Sequence, residues 1–173
     1  MGLANPMKYF TRDWALGEMS ERDSAVRRDA YWRHIDSLVA QLPATVRRLA
    51  KHVNLHDGLV RRALVDRRAG SLALELRCGD LQVGYSDTDL VYSGVDFSSV
   101  DLALLEKRAG DPETELLYDE VDLDDAGRFV HRISFEPHGE VDIRFSALRI
   151  REIPRSDREI SRRGLVFANP EDA

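Results

Sequence analysis

The residues with the most chemistry in them lie close together. Asp119, Glu120, Asp122, Asp124 and Asp125 form the densest carboxylate group of the chain, and His131 follows shortly after. Paired carboxylates serve acid–base or glycosidase chemistry when one raises the pKa of the other, and carboxylate clusters also hold calcium. The spacing does not match an EF-hand loop, and Asp124-Asp125-Ala126-Gly127 is good turn chemistry. Asp119 shares strand parity with Val121 and Leu123, so it is predicted to point inward, towards His131 or Arg132 of the next strand. His131 shares parity with Phe129 and Ile133 and reads as a histidine at the core edge. Two expectations follow. Asp119, Glu120 and His131 are the candidates for catalysis, and the five carboxylates together are the candidate surface for a basic partner.

A second group, His52, His56 and Asp57, is the nearest thing to a metal constellation. His-x₃-His places both rings on one face only if the helix runs through both, and Asn54 is a natural stop between them. No metal site is expected. Cys78 stands alone beside Gly79-Asp80, with no local histidine to activate it. There is no G-x-x-x-x-G-K-[ST], no G-x-G-x-x-G and no G-x-S-x-G, so no cofactor is expected. Arg47, Arg48, Lys51, Arg61, Arg62, Arg67 and Arg68 could form a basic stripe, but the aromatics that stack bases lie elsewhere, so no nucleic-acid partner is expected.

Charge is unevenly placed along the chain. Residues 1–68 hold 13 Lys/Arg against 8 Asp/Glu, residues 69–153 hold 8 against 19, and the last 20 hold 4 against 4. Either the basic first part neutralises the acidic middle, or the middle presents an acidic face to a basic partner. With one cysteine, no long apolar run and no apolar leader, a cytoplasmic protein with no membrane contact is expected.

The elements that must position these residues fall into two runs. Residues 7–54 read as helical. Thr11 caps a short helix, and Ser20 with Asp23 makes a capping box with the shorter acid. Ala25, Trp32, Ile35, Val39 and Leu42 make one apolar stripe, widened by Tyr31 and Leu38. Pro43 then either ends that helix or opens the next, whose stripe is Val46, Leu49, Ala50 and Val53. Residues 55–153 read as strands: 58–66 (with a helical extension as competitor), 72–77, 81–85, 90–95, 115–123, 128–135 and 140–153. A short helix capped by Ser99 lies near 99–108. The last strand changes apolar parity between Phe145 and Leu148, which predicts a β-bulge at Ser146-Ala147. Residues 154–173 form a polar tail, either mobile or pinned by Leu165-Val166-Phe167; residues 1–6, either a true start or an added leader ahead of a second initiator at Met7, are left out of the fold. Helices followed by strands indicate α+β: N-terminal helices on a curved, mainly antiparallel sheet of about six to seven strands, or a partly closed barrel, as one compact unit.

Met7-Lys8-Tyr9-Phe10-Thr11, Leu55-His56-Asp57-Gly58, Leu117-Tyr118-Asp119-Glu120-Val121 and Phe129-Val130-His131-Arg132-Ile133 resemble stretches of a bacterial protein family of unknown function. Its members open on a similar Tyr-Phe-Thr stretch before a helical part and end in a hairpin-rich β part. The resemblance spans residues 7–153 and implies the same order of elements, with no activity to carry over. In architecture the chain is also similar to small α+β proteins that neutralise bacterial toxins. The first functional expectation is therefore a non-enzymatic protein-binding module of inhibitor or immunity type using its acidic β surface. A small hydrolase or sugar-processing enzyme with a carboxylate/histidine site, and a small-ligand binder inside a partly closed barrel, are the alternatives.

Overall fold

The computed structural model describes residues 7–161 and 163–173; residues 1–6 lie outside the described residues. The chain is α+β. Helices α1 (Arg12–Ala15), α2 (Glu21–Leu38) and α3 (Ala44–His52) come first, then strands β1 (Leu59–Asp66), β2 (Ser71–Asp80) and β3 (Gly84–Ser93). Helix α4 (Leu102–Arg108) precedes β4 (Glu115–Leu123), β5 (Phe129–Glu136), β6 (Glu140–Phe145), β7 (Ala147–Arg155) and β8 (Gly164–Phe167). The strands form one curved, open sheet in the order β6-β5-β4-β1-β2-β3-β7, antiparallel except for β8, which runs parallel to β1. No helix among the described residues is long and apolar enough to cross a membrane.

Local chemistry explains the helices. The Ser20 hydroxyl accepts the Asp23 amide at 3.1 Å and donates to the Asp23 carboxylate at 2.7 Å, starting α2. Pro43 opens α3, which buries Val46, Leu49 and Ala50. On α2 the buried residues are Tyr31 and Ile35, while Trp32 stays 39% exposed. The stripe turns towards Tyr31 because its ring packs on Phe10 and its hydroxyl accepts the Val121 amide at 3.0 Å. Asp101 caps α4 by accepting the Leu104 amide, whereas Ser99 bonds back to the Asp96 carbonyl.

Three strand assignments change. Residues 84–93 form one strand, so the polar stretch Ser86–Asp89 between the two expected strands is itself extended. Its acids face arginines on the neighbouring strands: Asp87 accepts from Arg77 and Arg155, and Asp89 from Arg151. Cross-strand ion pairs thus support residues that propensity alone assigns to a turn. The turn lies at 81–83 instead, leaving Leu81 and Val83 exposed at the hairpin tip. It requires Gly79 at φ +102°, where an added Cβ would stand 2.0 Å from the Gly84 carbonyl oxygen.

Second, the parity change near Ser146 is a break between two strands. β6 pairs with β5, and β7 pairs with β3 at the other end of the sheet order. The sheet curves enough for consecutive residues to pass from one outer strand to the other, with Ser146 donating to the Ser93 carbonyl at 2.9 Å. Third, Leu165-Val166-Phe167 enters the sheet as β8. β4 meets β1 only at Leu59 and Glu115, then diverges, and β8 takes the vacated edge from Arg62 to Val65.

Candidate functional site

Most of the acidic run is consumed by the fold. Glu120, 1% exposed, accepts three consecutive backbone amides of the N-terminal segment: Lys8 at 3.0 Å, Tyr9 at 2.6 Å and Phe10 at 2.7 Å. Buried Asp122 accepts from Lys8 Nζ at 2.6 Å, Arg132 at 3.0 Å and its neighbour Leu123's amide at 2.9 Å, and meets His34 Nε2 at 2.8 Å. Glu120, Arg132 and Asp142 face one another directly across β4, β5 and β6. Asp124 shapes the β4–β5 turn by accepting the Ala126 and Arg128 amides and the Arg128 side chain. Asp125 is exposed. Residues 7–10 are therefore a strap, fastened to β4 by Glu120 and, together with α2, by Asp122.

The Asp122 fastening should weaken in acid. Burial acts to raise its pKa, but hydrogen bonds from Lys8, His34, the Leu123 amide and Arg132 outweigh it and hold the carboxyl well below the usual range. A depressed folded-state pKa adds stability that is complete above the unfolded-state value, about 4, and is lost as pH falls towards the folded-state value. Acid unfolding followed by near-ultraviolet circular dichroism should begin below about pH 4–5, and Asp122→Asn should flatten that limb of the pH–stability curve. An identical slope in the variant would contradict the assignment.

Asp119 has a different setting. His131 Nε2 lies 2.9 Å from its carboxylate, and His131 Nδ1 lies 2.7 Å from the Tyr92 hydroxyl. Both Tyr92 and His131 are fully buried. Burial, reinforced by the Asp119 charge, pushes the Tyr92 phenol well up, so it stays protonated. His131 bridges the two groups, with Nε2–H donating to the Asp119 carboxylate and Nδ1 sharing a hydrogen bond with the phenol. A hydrogen-bonded chain from the core thus fixes the orientation of the carboxylate.

Asp119 also lines a cavity of about 360 Å³ and is the only carboxylate among the described residues that line it. Phe10, Trp14, Tyr31, Trp32 and Tyr118 contribute aromatic rings; α3 and the residues after it contribute Leu49–Asn54; Arg28 also borders it. The rings pack on one another, with Phe10 to Trp14 centroids 4.7 Å apart, Phe10 to Tyr31 4.8 Å, and Trp14 to Tyr118 4.9 Å edge-on. The strap supplies Phe10, so Glu120 helps to shape this cavity from outside it. The two basic residues of the lining, Arg28 and Lys51, have acidic partners in Asp29 and Asp36. The sequence signal for the cavity was the concentration of aromatics between Tyr9 and Trp32; its meeting with Tyr118 and Asp119 requires the fold.

The histidines near residue 54 do not converge. α3 ends at His52, Val53 is extended, and His52 points to solvent. His56 donates through Nδ1 to the Leu117 carbonyl and stacks on Tyr118 at 4.6 Å, with Asp57 3.4 Å from its Nε2. No group of three or more His, Cys, Asp or Glu suited to a metal ion occurs among the described residues. Cys78 is buried, and burial pushes its thiol up to about 12. Comparisons of the chain with protein-family models, with curated proteins and with solved structures find no match, which leaves the geometry to carry the functional reading.

Proposed function

We propose that this chain is a binding protein that docks a basic protein partner, and that a cationic side chain of the partner enters the aromatic cavity beside Asp119. The observation that carries this reading is the meeting of five aromatic rings with a single, firmly oriented carboxylate. Aromatic faces attract cations through their quadrupole, and a desolvated cation–π contact is worth about 2 kcal/mol. The carboxylate adds a charge-assisted hydrogen bond and selects guanidinium or ammonium over a neutral side chain. The role matches that of an inhibitor or immunity-type protein. Long-range attraction of a basic partner to this acidic chain would speed association and weaken with salt.

The test is a titration with N-acetyl-arginine amide, followed by the indole N–H resonances of Trp14 and Trp32. Both signals should shift with a dissociation constant on the order of millimolar, and Asp119→Asn should weaken binding about tenfold, the equivalent of 1.4 kcal/mol. Equal shifts with N-acetyl-norleucine amide would mean a plain apolar pocket and would sink the cation reading.

The Tyr92–His131–Asp119 chain supports a second reading, a small hydrolase with Asp119 as general base. Turnover of a panel of nitrophenyl esters and glycosides that disappears in Asp119→Asn would favour it over the binding reading.

A further inference from the structure

We infer that the aromatic cavity is one end of a longer groove, and that the groove receives an extended basic segment of the partner with a basic–apolar–basic pattern. The inference rests on the binding function proposed above and adds to it the path, the second anchor and the sequence character of what binds.

Three hollows lie in series. The aromatic cavity shares His52 and Asn54 with a neighbouring hollow of about 420 Å³. That hollow shares Gly79 and Tyr85 with a third, of about 190 Å³. A connected run of shallow hollows suits an extended chain, which places successive side chains about 3.3 Å apart along its axis, better than it suits one compact molecule.

The middle hollow is lined mostly by polar residues, but one rim of it is apolar. Val83 lines it at 76% exposure, and its hairpin neighbour Leu81 is 91% exposed. Nothing in the fold needs these two side chains at a turn; Asp80 already shapes it by accepting the Gln82 and Val83 amides. Large apolar residues so exposed at a tip, beside a hollow, mark a contact surface.

The far end is acidic. Asp57, Asp80 and Glu115 line the third hollow with Arg158 as its one cation among the described residues, and Arg158 is engaged by Glu115. Asp57 and Asp80 are left facing solvent. The exposed residues Asp157 and Glu159 sit at the same end of β2, because buried Arg77 holds both of their carbonyls, at 2.8 and 2.7 Å. The charge at this end decides the occupant. A second copy in a two-fold pairing would bring like charges together, and an anionic lipid surface would be repelled. A basic polypeptide is complementary to both ends, with an aliphatic or aromatic residue between them against Leu81 and Val83.

The experiment pans a phage library of random dodecapeptides against the intact protein. The best sequence is then measured as a fluorescein-labelled synthetic peptide by anisotropy. The expected winners carry basic residues on both sides of an apolar one. The double variant Leu81→Asp/Val83→Asp should weaken binding about tenfold or more with an unchanged melting temperature, since both side chains are exposed. Asp57→Asn should weaken it about threefold, and Asp119→Asn should weaken it as well. Binding that depends on Asp119 but is indifferent to the tip variant overturns the groove and leaves the cation-binding cavity standing. Enrichment of acidic or uncharged sequences, no enrichment at all, or indifference to all three variants overturns both. Self-association abolished by the tip variant would identify a second copy as the occupant and overturn the basic-segment inference.

Discussion

Glu120→Ala is expected to lower the stability of the fold by about 3–5 kcal/mol and to free the N-terminal strap. The carboxylate is the sole acceptor shown for three consecutive backbone amides, those of Lys8, Tyr9 and Phe10. Alanine leaves those donors facing a void, and an unsatisfied buried polar group costs about 1–3 kcal/mol. It also removes one of the acids that face Arg132, at 3.8 Å. Glu120→Gln keeps one acceptor but turns an amide N–H₂ towards donors, so its cost should be smaller, about 2 kcal/mol. Urea unfolding measures both. Trypsin supplies the local readout: Lys8 and Arg12 lie on the strap and at its junction with α1, and cleavage there under native conditions should rise in the order wild type, Gln, Ala. A loss below about 1 kcal/mol in the alanine variant, with no new cleavage, would show that the strap is held by its aromatic rings alone.

Arg132→Met should be comparably severe, again about 3–5 kcal/mol, for a different reason. Arg132 is buried among Asp122 at 3.0 Å, Glu120 at 3.8 Å and Asp142 at 3.8 Å. Methionine fills similar space, so packing is largely kept while carboxylates lose a counter-charge in a low-dielectric setting. Removing a second partner should then cost little more. In a double-mutant cycle, Arg132→Met with Asp122→Asn should be less destabilising than the sum of the single changes by at least about 1 kcal/mol. Additivity within about 0.5 kcal/mol would mean that these charges do not act as a network. Because α2 reaches this cluster through His34, the Arg132 variant should loosen α2 as well as the strap, detectable as faster amide exchange around His34.

Both effects come from the same design. The acidic middle and the basic first part of the chain meet in ion pairs such as Lys8–Asp122, Arg12–Glu136 and Arg48–Glu152. A run that resembles a solvent-facing acidic patch in one dimension is, in three, a set of acceptors for a strap, a helix and a turn. The exposed carboxylates of the proposed groove and its acidic end are scattered through the sequence: Asp57 and Asp80 line it, and Asp157 and Glu159 lie nearby.

Local rules were legible wherever the cause was local. The Ser20 cap, the α3 stripe of Val46, Leu49 and Ala50, and the alternation of Leu72, Leu74 and Leu76 depend on neighbours within a turn or a pleat, and they formed as their spacing required. Departures occurred where a remote partner outweighed local preference. Asp87 and Asp89 stay in a strand because arginines of other strands meet them. Trp32 yields the core to Tyr31 because Phe10 and Val121 offer Tyr31 its partners. Ser146 ends a strand because curvature brings the outer strands together.

The sequence by itself thus determined the class of the fold, its helices-then-strands order and the contrast in charge between its two parts. That Glu120, on the strand face opposite to the inward-predicted Asp119, is itself buried was decided only by the tertiary structure. What buries it is the presence of three amides from a segment 110 to 112 residues away. A carboxylate can be taken out of water only where such donors replace its hydration, and the fold alone brings them there.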